Sequence, residues 1–141
     1  MLKVLFVCVH NSARSQMAET FLNDLGKGKF FAESAGIEKG MLNPYAVQAM
    51  ADIGYDISNN SVDSVFDFFI EERRYDLVIK VCDESAGQRC PVFPSTSLTL
   101  IWSFPDPAEL KGSNEEIMAE VCSIRDAIRT RIEEMIRVIN V

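Results

Sequence analysis

Histidine occurs once in this chain, at His10, and the four cysteines (Cys8, Cys82, Cys90, Cys122) include no closely spaced pair. A structural zinc site draws on four ligands in tight pairs, so the pattern points away from zinc. No apolar run approaches membrane-spanning length, and the first residues enter a strand without a signal-peptide pattern, so a cytoplasmic protein is expected. Scattered cysteines in such a chain are more often catalytic than structural disulfides. Positive charge is scarce as well: 14 lysines and arginines stand against 21 aspartates and glutamates, a formal charge of −7. That balance argues against nucleic acid or an anionic membrane as partner, and any bound anion must be held by a locally cationic site. Repeats, low-complexity tracts and linkers are absent. Residues 1–141 therefore read as one domain with room for a real core.

Against this background stands the segment Val7-Cys8-Val9-His10-Asn11-Ser12-Ala13-Arg14-Ser15. A thiol and a guanidinium with five residues between them sit where an apolar run gives way to helical periodicity. Leu2 to Val9 is broken only by Lys3, as a buried parallel strand should be. Ala18, Phe21, Leu22 and Leu25 then recur at helical spacing until Gly26 and Gly28. Backbone N–H groups of Cys8, Val9, His10, Asn11, Ser12, Ala13, Arg14 and Ser15 would converge on one tetrahedral anion, helped by the positive end of the helix. Arg14 supplies a planar fork for two anion oxygens, and the same field stabilises Cys8 as the attacking thiolate. By itself the loop leaves the kind of oxyanion open.

Elsewhere, strands are expected at Phe30 to Ala35, Leu77 to Cys82 and Leu98 to Trp102. Asn43-Pro44 reads as a helix start with an Asn cap, followed by an apolar face of Val47, Met50 and Ala51. Ser61 is expected to cap a further helix with Val62, Val65, Phe66, Phe69 and Ile70 as its stripe. Ser113 with Glu116 resembles a capping box opening a long terminal helix, with Ile117, Val121, Ile124, Ile128, Ile132 and Met135 on its core side. Strands alternating with helices imply an α/β, three-layer fold: a four-stranded parallel sheet in flavodoxin-like order. Ligands gather at the carboxyl edge of such a sheet, where the Cys8 loop lies.

Cys82 falls at that edge, and Cys90 follows after the polar stretch Asp83-Glu84-Ser85-Ala86-Gly87-Gln88-Arg89. One reading makes them a core residue and an incidental loop thiol. The other makes them two redox thiols beside a nucleophilic thiolate, able to exchange through mixed disulfides. Asp106, in Ser103-Phe104-Pro105-Asp106-Pro107, follows the fourth strand on the same edge, held by flanking prolines, and is placed to protonate a leaving oxygen. Cys122 lies beside the apolar stripe of the last helix and reads as packing.

On these residues the chain resembles the low-molecular-weight protein tyrosine phosphatase superfamily, and within it the arsenate reductases that use thioredoxin. The likeness runs from Cys8-Val9-His10-Asn11-Ser12-Ala13-Arg14-Ser15-Gln16-Met17-Ala18-Glu19, through Glu33-Ser34-Ala35-Gly36 and Cys90-Pro91-Val92-Phe93-Pro94, to Phe104-Pro105-Asp106-Pro107-Ala108. The resemblance implies that Cys8 attacks arsenate held by Arg14 and the loop amides, with phosphate or sulfate competing for the pocket. Asp106 would protonate the departing oxygen, Ser15 would hydrogen-bond the thiolate, and Asn11 would hold the loop's shape. It further implies that Cys82 attacks Cys8, that Cys90 attacks Cys82, and that thioredoxin reduces the final disulfide. No cofactor is implied as tightly bound, although some members place a potassium ion behind the loop; Asn11, Glu19, Ser34 and Asp63 are the counterparts here. The chain also departs from the pattern. Seven residues separate Cys82 from Cys90, one more than expected, Lys80 stands where a neutral strand residue is expected, and His10 replaces a common glycine.

The alternative is a phosphatase acting on phosphotyrosine or a small aryl phosphate, for which Cys8, Arg14 and Asp106 would serve equally. Phosphatase members often carry tyrosines after the Asp-Pro acid, whereas here Pro107-Ala108-Glu109-Leu110 follow. They also do not need Cys82 and Cys90. A redox sensor without turnover is countered by Asp106, since a sensor has no leaving group to protonate. A mycothiol- or glutathione-type reductant would need fewer cysteines.

Overall fold

The computed structural model describes residues 1–83 and 98–139. Cys90 and the Cys90 to Pro94 segment lie outside them. Four strands, β1 (Leu2–Cys8), β2 (Phe30–Gly36), β3 (Leu77–Cys82) and β4 (Leu98–Ser103), form one sheet in the order β2-β1-β3-β4. Every neighbouring pair is parallel, with Cys8 opposite Gly36, Val7 opposite Lys80 and Cys82 opposite Ser103. This is the doubly wound α/β order expected, and its switch point lies between β1 and β3, where open sheets present ligands.

Helices α1 (Arg14–Leu25), α2 (Pro44–Ala51) and α4 (Asn114–Val138) cover one face of the sheet. Phe6, Ile79 and Val81 from the strands meet Met17, Phe21, Met50, Ile124, Ile128 and Ile132 there. On the other face, α3 (Val65–Ile70) puts Val65 and Phe68 against Leu5, Val7 and Val78. Alternation along a strand assigns side chains to these two faces. Phe6 and Cys8 share the α1 face, whereas Val78, Lys80 and Cys82 share the α3 face.

Helix boundaries follow local chemistry. The Asn43 side chain accepts from Tyr45 N and Ala46 N, and Pro44 occupies the first helical position. Ser113 and Glu116 form the reciprocal capping box. Gly26 ends α1 with φ −99°, so left-handed freedom is not its reason. A Cβ there would sit 2.8 Å from the Phe30 ring, and the turn back into β2 leaves no space for one.

Two stripes differ from expectation. The core face of α2 is Ala46, Ala49 and Met50, with Ala51 exposed. α3 is capped by Ser64, whose Oγ accepts from Phe66 N, while the Ser61 hydroxyl donates to Asp63. Starting three residues later turns the helix: Val65 and Phe68 go inward, and Phe66, Phe69 and Ile70 face solvent. Lys80 is only partly buried, so its ammonium reaches water. Among the described residues no helix is long and apolar enough to cross a membrane.

Candidate active site

Cys8 is the last residue of β1 and only 2% exposed. The chain then turns through residues 9–13 into α1, whose N-cap, Ala13, has no side chain to satisfy the first helical amides. What shapes the turn is the fate of its carbonyls. Those of Cys8, Val9, His10 and Ser12 accept from the amides of Ile37, Glu38, Gly40 and Asn43, at 3.2, 3.0, 3.2 and 2.9 Å. The strap between β2 and α2 thus grips the loop from outside. A planar peptide points its N–H opposite to its C=O, so carbonyls held outward turn the loop amides inward. Asn11 N already donates to Cys8 Sγ at 3.0 Å. Among the described residues the amides of His10, Ser12 and Ala13 have no other partner, which leaves a cradle of donors over the sulfur, backed by the α1 N-terminus.

The close approach requires a glycine. A Cβ on Gly36, opposite Cys8, would lie 2.7 Å from Asn11 N and 2.9 Å from Val9 O. Asn11 is buried with φ 55°, a left-handed conformation that asparagine tolerates better than most residues. Its side chain is fully engaged. Oδ1 accepts from Gln16 Nε2 (3.1 Å) and Asp63 N (3.0 Å), and Nδ2 donates to Ser15 Oγ (2.7 Å). Ser15 Oγ lies 2.9 Å from Cys8 Sγ. Either atom can donate in that contact, and Asn11 Nδ2 holds the hydroxyl in place from its other side. Cys8 Sγ therefore faces a donating backbone amide and a hydroxyl.

Arg14, 3% exposed, reaches across to the segment after β4. One terminal nitrogen is 3.2 Å from Asp106 Oδ2 and the other donates to Phe104 O at 3.2 Å. The second carboxylate oxygen of Asp106 accepts from Ala108 N at 3.0 Å, capping a single 3-10 turn, Pro107–Glu109. Both groups are fixed at the carboxyl edge of the sheet by these bonds to the segment after β4. His10 stands at the rim, half exposed, with Nδ1 4.0 Å from Glu38.

Behind the loop lies an acidic group. Burial, with Asp63 and Glu33 nearby, raises the Glu19 carboxyl from 4.5 to about 7, although hydrogen bonds from Ser34 oppose the shift. Glu19, Ser34 and Asp63 are thus brought together. Asn11 is adjacent, but Oδ1 and its backbone oxygen already accept from Gln16, so it has little left for a cation. Among the described residues no three or more His, Cys, Asp or Glu converge as a metal site.

Cys8 and Cys122 are free thiols, whereas Cys82 is disulfide-bonded. Cys82 shares the carboxyl edge with Cys8 but, by alternation, the opposite face. Cys122 is half-buried beside Arg125, which donates to its sulfur at 3.5 Å. Sequence reading missed Gln16 and the strap at 37–43. A glutamine in a first helical turn has no periodic signature to set it apart from a solvated one, and the strap acts through main-chain atoms.

This fold, with a Cys-(five residues)-Arg loop whose amides turn inward and a carboxylate paired to its arginine, defines a cysteine-dependent oxyanion-handling class. The chain belongs to the low molecular weight phosphotyrosine protein phosphatase family, whose pattern it matches over residues 3–140. It is 38% identical to an arsenate reductase of Bacillus subtilis over 131 residues, covering 93% of this chain and 92% of that one. It superposes on an arsenate reductase in the phosphate-binding state with a TM-score of 0.79, at 35% identity over 99% of this chain and 100% of that one. A thioredoxin-dependent arsenate reductase of Corynebacterium glutamicum aligns at 26% identity and a TM-score of 0.61, over 95% of this chain and 63% of that one.

Proposed function

We propose that this chain reduces arsenate to arsenite, with thioredoxin as electron donor. The observation that carries the reading is a buried free thiol, Cys8, facing a donating backbone amide and a hydroxyl under a cradle of loop amides, with a disulfide-bonded Cys82 at the end of the neighbouring strand. The arsenate reductases among its relatives support it.

Arsenate enters between Arg14 and the loop amides. The Cys8 thiolate attacks arsenic, and one oxygen leaves as water with a proton from Asp106. The Cys82 thiolate then attacks Cys8 Sγ. The electron pair of the sulfur–arsenic bond stays on arsenic, arsenate becomes arsenite, and a Cys8–Cys82 disulfide forms. Cys90 attacks Cys82 and returns Cys8 as a thiolate. The resulting disulfide is reduced by the dithiol of thioredoxin. A free Cys8 with a disulfide-bonded Cys82 fits the stage after Cys90 has attacked and before thioredoxin acts. Because Cys82 lies on the α3 face, the second step requires the end of β3 to turn toward Cys8.

Potassium, held by Glu19, Ser34 and Asp63, would offset the charge crowded behind the loop and stiffen it. A cytoplasmic setting, which keeps thiols reduced, suits the chemistry.

Arsenate-dependent NADPH consumption with thioredoxin and its reductase tests the reading. Cys8→Ser, Cys82→Ser and Cys90→Ser should each abolish multiple turnover, and Cys90→Ser should still release about one arsenite per chain, as a stepwise relay requires. Full turnover by Cys82→Ser and Cys90→Ser would sink the relay. Brisk hydrolysis of an aryl phosphate without arsenate turnover would make the chain a phosphatase instead.

A further inference from the structure

Five consecutive carbonyls, from Cys8 to Ser12, shape the anion cradle, and the strap binds only four of them. The fifth, that of Asn11, is taken by a side chain. Gln16 Nε2 lies 3.1 Å from Asn11 O, 3.1 Å from Asn11 Oδ1 and 2.8 Å from Ser61 O. Its Oε1 in turn accepts from Asn60 Nδ2 at 3.2 Å. Gln16 is 1% exposed, so none of these bonds competes freely with water.

We propose that Gln16 is a positioning residue of the oxyanion site, completing the set of clamps that turn the loop amides inward. This role rests on the oxyanion chemistry proposed for Cys8. Two effects arise from the one amide. By holding the Asn11 carbonyl, Gln16 fixes the peptide plane between Asn11 and Ser12, so that the Ser12 N–H faces the cradle. By donating to Asn11 Oδ1, it orients that side chain with Nδ2 toward Ser15 Oγ, the hydroxyl in contact with Cys8 Sγ. Asp63 N shares the second task but not the first. Asn11, with its positive φ, is the residue of the loop whose backbone most needs such a lock. Through Ser61 and Asn60 the same glutamine ties the loop to the segment leading into α3, so anion affinity and the placement of that segment are linked.

The test uses inorganic phosphate as a non-reacting probe. Alkylation of Cys8 by iodoacetamide is monitored by mass spectrometry of the Cys8 peptide at increasing phosphate, and arsenate KM and kcat are measured alongside. Gln16→Met keeps length and volume but loses every hydrogen bond. It should melt as a folded protein while the phosphate concentration for half-protection rises about tenfold, the loss expected for a buried donor–acceptor set. Arsenate KM should rise more than kcat falls. Gln16→Glu, which sets a carboxylate against three carbonyl-type oxygens, should lose protection further. A filler role would leave Gln16→Met protected like the wild type, and that result would overturn the proposal. Should Gln16→Met fail to fold, Asn60→Ala decides. It frees the outer end of the Gln16 amide and should weaken phosphate protection by a smaller factor; unchanged protection refutes the role. Phosphate protection in a wild type that reduces no arsenate would remove the reductase reading and leave this one standing. No protection in the wild type would remove the cradle and this inference with it.

Discussion

Glu19 offers a quantitative handle on the region behind the loop. Its carboxyl, buried and next to Asp63 and Glu33, is raised from 4.5 to about 7. A group whose pKa is higher in the folded state binds its proton more tightly there, so its contribution to stability is full below pH 4.5 and is lost as pH climbs through about 7. At about 1.4 kcal/mol per pH unit, the interval from 4.5 to about 7 comes to about 3 kcal/mol, an upper figure because relaxation and water entry reduce it. Glu19→Gln carries no such titration. Urea unfolding of both proteins, at fixed thiol–disulfide state and in a buffer with tetramethylammonium as the only cation, should give similar stabilities near pH 4.5. By pH 8 the variant should be the more stable by up to about 3 kcal/mol. Replacing tetramethylammonium with potassium should stabilise the wild type selectively at pH 8, because a bound cation offsets the like charges, and leave Glu19→Gln little changed. Parallel stability–pH curves for the two proteins would refute the buried-charge argument. Equal responses to potassium would refute the cation site while leaving the charge argument intact.

Two further outcomes are expected. Asp106→Asn keeps one oxygen, enough for Ala108 N, and has no proton to give, so single-turnover arsenite release should slow about 10²- to 10⁴-fold; a loss below about tenfold would deny Asp106 the acid role. Gly36→Ala forces a methyl to 2.7 Å from the Asn11 amide, and urea unfolding should show a cost of about 1–3 kcal/mol together with lost phosphate protection of Cys8. Wild-type protection in that variant would mean that the loop does not depend on the close approach.

Much of this architecture is legible in the chain because single residues announce it. The Asn43-Pro44 start, the Ser113–Glu116 box and the apolar run of β1, broken only by Lys3, are local signals, and the structure realises each. Cys8, Ser15, Arg14 and Asp106 are likewise brought to one edge, since βα succession alone sends strand ends there. The start of α3 is ambiguous in the chain because Ser61 and Ser64 are equally good caps, and only packing of Phe68 against the sheet chooses between them. The strap is hidden for a different reason. Its contribution is four backbone amides, which every residue type but proline can supply. Gln16 is hidden because its partners are main-chain and side-chain oxygens as far away as Ser61.

Arsenate and phosphate match in shape and charge, and a loop whose carbonyls are clamped from outside is built before either arrives. Such a pocket stabilises both anions with the same donors, so it cannot be where the two chemistries part. They part only once the first bond to Cys8 has formed. When a second thiolate attacks Cys8 Sγ, the sulfur–arsenic electron pair has somewhere to go, because arsenic accepts it and becomes arsenite. Phosphorus does not accept an electron pair from a thiol under these conditions, so a phospho-adduct is left to water. In the proposed relay the second thiolate, assigned to Cys82, confers reductase chemistry without touching the anion. By strand alternation Cys82 lies on the face of the sheet opposite Cys8, so the proposed relay requires the two sulfurs to be brought together after the first bond has formed.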